Sequence, residues 1–243
     1  MGLRLTVPEV GVAELALTSK IFRDWQANLD KRFKVKSLVF QHIDIRSASS
    51  LAERQVRNIK FEAEVEDREG RHLHGSVFMR GSSVAILVVL VCEGKEYTVI
   101  EEQARFPSGC FAFPEIPAGS MSDSTKDFVD VAVSELDEEL GLKVAKENLV
   151  DMTQLVYGDR WRGVFPSPGL CDEYLRIFLY KKNVTREFLD EFRGKAAGLE
   201  EENERIVSKV ILLDDLVSEA PDGKTLSALA LYKYLKERDK LNI

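Results

Sequence analysis

Three glutamates at helical spacing are the residues whose chemistry is most readily read from this sequence. Glu135, Glu138 and Glu139 stand at i, i+3 and i+4, so on a helix they share one side and lie within reach of one another. Like charges so placed repel, and the usual interpretation of an acidic helix side is a solvated surface. A hard divalent cation would remove the repulsion, because Mg²⁺ takes oxygen ligands and prefers carboxylates. The spacing therefore leaves two interpretations open, a solvated face and a metal site.

The glutamates belong to a helix that the sequence predicts over 127–142. Apolar residues recur along it at helical spacing, so one face can pack on a core while the carboxylates lie beside that face. These apolar positions are Val129, Ala132, Val133, Leu136 and Leu140. Before the helix comes the segment 114–119, Pro-Glu-Ile-Pro-Ala-Gly, and a short polar loop joins the two. We expect the rest of the chain to be organised around these two segments.

The two segments together resemble the Nudix box, the signature of the Nudix hydrolase family. That pattern starts with a Gly, continues with a first Glu, and ends with the run Arg-Glu-apolar-any-Glu-Glu-any-Gly-apolar. Gly119 matches the start, and residues 135–142 match every constrained position after the Arg. Three positions depart from the pattern. Ser134 stands in the Arg position, Lys126 stands in the position of the first Glu, and one extra residue separates Gly119 from the helix. Because the metal-binding glutamates are kept, these departures bear on rate and geometry more than on the type of reaction.

The resemblance implies an α+β fold for this chain. Residues 80–243 would form a Nudix hydrolase domain, a mixed β-sheet flanked by helices, and residues 1–79 a smaller N-terminal helix-plus-β module. The implied cofactor is Mg²⁺, with Mn²⁺ as a substitute, and Glu139 would also be catalytic. The resemblance implies these metal ligands: the backbone carbonyl of Ala118 and the carboxylates of Glu135, Glu138 and Glu139.

Residues on either side of the box are expected to bind the substrate. The segment 103–109 is similar to the family element Gln-x-Arg-x-Pro-x-Gly, whose Arg grips the substrate diphosphate. Arg105 is therefore the first-choice phosphate ligand, since a guanidinium can engage phosphate oxygens bidentately. Arg80 is a weaker second candidate, and Glu115 is a third expected substrate-binding residue.

A second acidic residue is expected to do chemistry from a loop. The segment 167–173 resembles a Ser-Pro-Gly element of ADP-sugar hydrolases that carries an extra glutamate downstream of the box. On that match Glu173 is the general base. Without the match it would be an acidic residue at the start of a strand.

The order and spacing of these pieces look most like the plant-type ADP-sugar diphosphatases of the family. The implied reaction is Mg²⁺-dependent hydrolysis of the diphosphate of an ADP-sugar, such as ADP-glucose or ADP-ribose, to a nucleoside monophosphate and a sugar phosphate. One alternative is a UDP-sugar diphosphatase. Another is a nucleotide-sugar binding protein whose catalysis has decayed, which Ser134 and Lys126 would explain. A third is a scaffold role carried by the N-terminal module.

The N-terminal module is predicted to begin with an amphipathic helix over 20–29, capped by Thr18 or Ser19. Trp25 on this helix has the size to stack on a base, although a Trp in such a position is more often a core residue. The resemblance implies that this module forms a homodimer. Its predicted strands cover 38–45 and 60–65, with a third that ends near residue 79.

The remaining elements alternate between strands and helices. Residues 84–91 are apolar at every position, as in a strand buried on both faces. Residues 157–170 form a long loop, which is often functional in a compact domain. Further strands are predicted over 97–101, 149–155, 174–180 and 206–213, and further helices over 186–192 and 223–241.

Composition excludes several other classes of protein. The 243 residues carry a net charge of −7 without a basic block, so nucleic acid is not an expected partner. The longest apolar run, 84–92, is too short to span a bilayer, so no membrane association is expected. Three widely spaced cysteines and the lack of a secretory signal favour a cytoplasmic location. The first six residues also fit the myristoylation pattern, which short motifs do by chance.

Overall fold

A computed structural model describes residues 10–29, 32–46, 55–121, 127–193, 196–197 and 206–241. Lys126 and the myristoylation-like start lie outside these ranges. The chain divides into two compact units. The first takes the segments Met1–Ser82, Met121–Thr125 and Phe165–Tyr174. The second takes Ser83–Ser120, Lys126–Val164 and Leu175–Ile243.

The first unit contains two helices and a three-stranded antiparallel sheet in the order β1-β2-β3. The Ser19 hydroxyl accepts a hydrogen bond from the Phe22 backbone N–H at 3.4 Å, so Ser19 caps the second helix as predicted. The first helix was not expected from the sequence. The elements are α1 (Val10–Thr18), α2 (Lys20–Leu29), β1 (Phe33–Arg46), β2 (Gln55–Asp67) and β3 (His72–Met79).

Aromatic side chains form much of the core of this unit. The Trp25 ring lies with its centroid 5.6 Å from that of Phe22 and 5.0 Å from that of Phe61, the latter edge to face. Phe22 and Phe61 are buried. Trp25 thus packs α2 onto the sheet, which favours the core interpretation of this residue.

The second unit is built on an eight-stranded sheet. Its path runs β10-β11-β5-β4-β9-β8, with β6 beside β5 and β7 beside β4. The strands are β4 (Ser82–Cys92), β5 (Lys95–Arg105), β6 (Cys110–Glu115), β7 (Ala118–Ser120), β8 (Leu149–Asp151), β9 (Tyr174–Asn183), β10 (Ala196–Ala197) and β11 (Ile206–Leu212). The helices are α3 (Phe128–Leu140), α4 (Met152–Tyr157), α5 (Arg186–Asp190), α6 (Leu216–Glu219) and α7 (Gly223–Lys236).

Strand β4 is buried at nearly every position, as its continuous apolar run predicts. Alternate β4 residues, among them Leu87 and Val89, share a core cluster with Leu229 and Leu235 of α7. The intervening β4 residues face the other side of the sheet, because successive side chains alternate along a strand. Helices therefore flank a central sheet, and the predicted α+β class is confirmed.

Helix α3 begins one residue after the start and ends two residues before the end of the predicted range 127–142. The Asp127 side chain accepts from the Asp130 backbone N–H at 2.8 Å and caps the first turn. At the other end Gly141 adopts a left-handed conformation with φ 64° and donates its N–H to the Asp137 carbonyl. The glutamates of the box therefore sit on a helix fixed at both ends.

The predicted strand over 149–155 is wrong beyond Asp151. The Asp151 side chain accepts from the Gln154 backbone N–H at 2.8 Å, and this cap starts helix α4 in place of a longer strand. The closing helix also ends at Lys236, before the predicted residue 241. Strands β6 and β7 were not predicted from the sequence. None of the helices within the described ranges has the length and apolar character needed to span a bilayer.

Candidate active site

Strand β7 and helix α3 bring two of the predicted metal-binding glutamates together. A Cβ atom added at Gly119 would lie 1.9 Å from Glu135 Oε1, so the Glu135 carboxylate occupies the space that a side chain at residue 119 would fill. The Ala118 backbone N–H donates to the Glu139 carboxylate. A side chain at residue 119 would therefore displace the Glu135 carboxylate, and the Ala118 backbone holds the Glu139 carboxylate directly.

Glu139 is buried against a second acidic side chain, Glu101 of β5. Their carboxyl groups contact each other, and Glu101 is 0% exposed. Burial and then the charge of Glu101 raise the pKa of Glu139, and burial also raises the pKa of Glu101. Two ionised carboxylates in contact repel each other, so a proton or a cation must offset part of their charge.

Unpartnered polar atoms concentrate around this pair. Within the described residues, four of the five buried side-chain oxygens that lack a hydrogen-bond partner are Oε1 and Oε2 of Glu101, Oε2 of Glu139 and Oγ of Ser208. Ser208 of β11 is paired in register with Glu101, and residues so paired point to the same face. Buried polar atoms are rarely left unpaired in proteins, so this spot fits a bound ion or water.

The residues present fit a divalent cation. Glu135 and Glu139 supply carboxylates beside the Ala118 backbone, and orphaned oxygens face one another in a buried place. Among the described residues no three His, Cys, Asp or Glu side chains form a ready-made metal cage. A cage is not required, because Mg²⁺ usually keeps several waters and takes one or two protein carboxylates. Glu138 is exposed on α3, so its predicted metal role stays a prediction.

Arg105 is held in place by a buried carboxylate. Its Nε donates to Glu115 Oε1 at 2.7 Å, and its Nη2 lies 2.5 Å from the same oxygen. The other Glu115 oxygen pairs with Lys224 in the first turn of α7, and Lys224 also lies 3.1 Å from Asp222. The Arg105 side chain remains 43% exposed, whereas that of Glu115 is 4% exposed. Glu115 therefore braces a guanidinium that can still reach a ligand.

In the first unit, the predicted base Glu173 lies beside Arg80. Their side chains pair at 3.4 Å. The neighbouring Asp172 accepts from the Arg80 backbone N–H at 2.8 Å and from that of Gly81 at 3.3 Å. The Phe78 N–H also donates to the Leu170 carbonyl at 2.9 Å. These bonds fix the loop after the Ser-Pro-Gly segment and bring two predicted site residues together.

Burial raises the pKa of Asp172, while the hydrogen bonds from Arg80 and Gly81 act in the opposite direction. Asp172, Lys224 and Glu101 were not recognised from the sequence. A signal existed for Glu101, which ends the continuously buried stretch 97–101 of β5 and lies on the same face of the strand as Tyr97 and Val99. No pattern pointed to Lys224, because the partner it meets lies 109 residues away along the chain.

A curated relative resembles this chain along most of its length. It is Nudix hydrolase 14, chloroplastic, of Arabidopsis thaliana, 36% identical over 222 residues that cover 90% of this chain and 71% of the relative. No family model matches the sequence. With that identity and coverage, the chain belongs to the Nudix hydrolase family and is an enzyme of that family.

Two solved structures are similar to this chain to different degrees. A crystal structure of an ADP compounds hydrolase matches with a TM-score of 0.50 at 15% identity, covering 86% of this chain and 99% of that chain. An Ap4A hydrolase from C. elegans matches with a TM-score of 0.42 at 17% identity, covering 64% of this chain and 97% of that chain. The first of these supports the Nudix-type α+β fold.

Proposed function

We propose that this Nudix hydrolase cleaves the diphosphate of a nucleoside diphosphate sugar. The proposed substrate is an ADP-sugar such as ADP-glucose or ADP-ribose, and the products are a nucleoside monophosphate and a sugar phosphate. The match of Arg105 and Glu173 to elements of the ADP-sugar branch supports this choice. The same reaction on a UDP-sugar is the second candidate. Adenine and uracil are distinguished by a few hydrogen bonds in the base pocket, and Arg105 and Glu173 do not form that pocket.

The observation that carries the proposal is the combination of a braced guanidinium and buried carboxylates in the second unit. Glu115, which holds Arg105, is paired across the strands with Glu101, and Glu101 contacts Glu139. A diphosphate complements this arrangement, because Arg105 can bind one phosphate and the carboxylates would hold a cation that offsets the remaining negative charge. An uncharged substrate would use neither group.

Each residue has a defined task in the proposed reaction. Glu135, Glu138, Glu139 and the Ala118 carbonyl would hold the Mg²⁺, which offsets the diphosphate charge and lowers the pKa of a bound water. Arg105 binds and orients a phosphate through its fixed guanidinium. Glu173 accepts the proton of the attacking water, and Arg80 and Asp172 hold Glu173 and its loop in position.

A substrate panel tests the proposal. Purified protein is incubated with ADP-glucose, ADP-ribose, UDP-glucose or a dinucleoside polyphosphate, in Mg²⁺ or in excess chelator, and the products are separated by chromatography. We expect the highest kcat/KM for an ADP-sugar and a loss of at least about 100-fold in chelator. Failure to cleave any nucleotide sugar would overturn the proposal, and a preference for UDP-glucose would move it to the second candidate.

Arg105→Lys tests the phosphate contact. Lysine keeps the positive charge but cannot make the forked contact with Glu115 or a phosphate, so we expect KM to rise about tenfold with a smaller change in kcat. Steady-state kinetics with the best substrate measure both constants. Arg186→Lys is the matched control, because Arg186 is another partly exposed arginine paired with a glutamate, Glu93. An equal rise in KM for both variants would contradict the assignment.

A further inference from the structure

Glu101 is a buried acidic residue whose presence the box and its neighbours do not explain. Its side chain is 0% exposed, and both of its oxygens lack a hydrogen-bond partner. It lies on β5 between two neighbouring strands, paired in register with Glu115 of β6 and Ser208 of β11. A carboxylate buried in this way is unfavourable unless a cation, a proton or donors satisfy it.

The charges around Glu101 are mainly negative. The nearby acidic groups that act on it are Glu139, Glu115 and Glu135. Lys224 also acts on it, but the Lys224 ammonium already pairs with Glu115 and with Asp222. The surroundings therefore leave room for additional positive charge, and the unpartnered oxygens of Glu101 and Glu139 are the ones that would receive it.

We propose that Glu101 is an additional ligand for a divalent cation, bound between β5 and α3 together with Glu139 and water. Two carboxylates with waters are a sufficient protein ligand set for Mg²⁺ or Mn²⁺. The Ser208 hydroxyl, which points to the same face and lacks a partner, would hydrogen-bond one of those waters. The inference rests on the proposed function in that it shares Glu139 with that site, and it adds a ligand from the sheet to the ligands of the helix.

Mn²⁺ binding measured by electron paramagnetic resonance tests this inference without any substrate. We compare the number and affinity of bound Mn²⁺ ions in the wild-type protein and in Glu101→Gln. The variant keeps the size of the side chain and removes its charge. We expect it to lose one bound Mn²⁺ or to bind at least about tenfold more weakly, which is the loss typical even of residues that only orient metal ligands.

Glu102→Gln is the matched control. Glu102 is the next residue of β5, so it points to the opposite face of the sheet. The substitution Glu102→Gln therefore removes the same charge from the same strand without touching the proposed site. We expect its Mn²⁺ binding to equal that of the wild type. Wild-type binding in Glu101→Gln would overturn the inference, and so would an equal loss in Glu102→Gln, because the effect would then reflect net charge.

Thermal unfolding provides a second readout. Mn²⁺ should raise the unfolding temperature of the wild type and of Glu102→Gln, because a ligand that binds only the folded state stabilises it. The rise should be reduced in Glu101→Gln, and an undiminished rise would overturn the inference. Unfolding in chelator shows whether each variant is folded. If Glu101→Gln does not fold, Glu101→Asp replaces it, since it keeps the charge and withdraws the oxygens, and wild-type Mn²⁺ affinity in Glu101→Asp would count equally against the inference.

The binding and substrate experiments fail separately. If the wild type cleaves ADP-sugars in Mg²⁺ while Glu101→Gln binds Mn²⁺ like the wild type, the inference is wrong and the proposed function stands. If Mn²⁺ binding depends on Glu101 but no nucleotide sugar is cleaved, the proposed substrate is wrong and the cation site stands.

Discussion

The Glu139 side chain is buried in contact with a second carboxyl group, so its charge is stabilised only when something else in the protein compensates it. We propose a divalent cation as the compensating group. The burial of Glu139 and the exposure of Glu138 separate two residues that the spacing had placed on equal terms. Of these two residues, Glu139 is therefore the one whose charge most needs a bound cation.

Glu139→Gln should abolish turnover and leave the fold intact. The amide has the shape of the carboxylate without its charge, so the loss falls on metal binding and rate, and we expect kcat to fall by at least about 100-fold. Kinetics at limiting Mg²⁺ and circular dichroism measure the two effects. Asp137→Asn on the same helix is the control, because Asp137 is exposed and outside the site. Full activity of Glu139→Gln would refute the site assignment.

Sequence could identify the helix glutamates but not the sheet glutamate beside them. The box fixes Glu135 and Glu139 by spacing within one helix, where neighbours in sequence are neighbours in space. Glu101 meets Glu139 only through the packing of β5 against α3, and a single-sequence pattern does not specify which strand packs on which helix turn. Lys224, which pairs with the carboxylate that holds Arg105, and Asp172, which fixes the Glu173 loop, were missed for the same reason.

At the scale of elements, the close approach of β7 and α3 depends on a missing side chain. Gly119→Ala places a methyl group where the Glu135 carboxylate lies, and that side chain must move away. Glu135 is only partly buried and can rotate, so we expect a change in the free energy of unfolding within about 1 kcal/mol. Metal affinity should fall about tenfold, because a ligand is displaced.

Titration with Mn²⁺ and denaturant unfolding separate these effects of Gly119→Ala. Gly75→Ala is the control, because a Cβ at Gly75 would meet no atom within 4 Å. Unchanged metal affinity in Gly119→Ala would show that the position of Glu135 does not matter for the metal.

A second junction of elements depends on Glu96, which joins β5 to α7 and β9. It accepts from Tyr232 at 2.7 Å and from Lys236 at 2.8 Å, and it lies 3.2 Å from Lys181. Burial alone would raise the pKa of Glu96, but the hydrogen bonds from these three residues outweigh it and the pKa lies below its ordinary value. A carboxylate with a lowered pKa stabilises the folded state above its unfolded pKa and loses that effect as the pH falls through the folded pKa.

Glu96→Gln should therefore destabilise the protein at neutral pH and have little effect in acid. We expect a loss of about 1–2 kcal/mol at pH 7, the usual contribution of hydrogen bonds to a charged group. The difference from wild type should shrink as the pH falls from about 5 to about 3. Urea unfolding across this pH range measures it, with the exposed Glu191→Gln as the control. A difference that does not vary with pH would show that the charge of Glu96 is irrelevant.

At the scale of the whole molecule, the fold class and most elements followed from sequence, whereas the connections between them did not. The continuous apolar run predicted β4, and apolar residues at helical spacing predicted α3. Helix α4 formed where a strand was predicted, because the short apolar stretch after Asp151 suits a helix or a strand equally well. The Asp151 side-chain cap decides for the helix. Short strands such as β7 depend on their partners in the sheet and have no periodicity of their own.

The homodimer and the cytoplasmic location stay predictions. We expect light scattering at micromolar concentration to give twice the mass of 27.5 kDa, because a helix and sheet module of the size of residues 1–79 is marginal alone. A variant lacking these residues should lose both the dimer and activity. A fully active monomer would rule out a dimer as a requirement for the site.

The loop that carries Glu173 belongs to the first unit, although the residues on either side of it belong to the second. Phe78 and the backbone of Arg80 and Gly81 therefore find their partners in residues 170–172, far along the chain. A fragment that stops at residue 82 leaves those partners behind, and a fragment that starts there releases the loop of the proposed base. The N-terminal module therefore does not keep all its contacts when it is separated from the rest of the chain. Recombination that exchanges it between relatives must also exchange the distant loop, so the two stretches are expected to be inherited together.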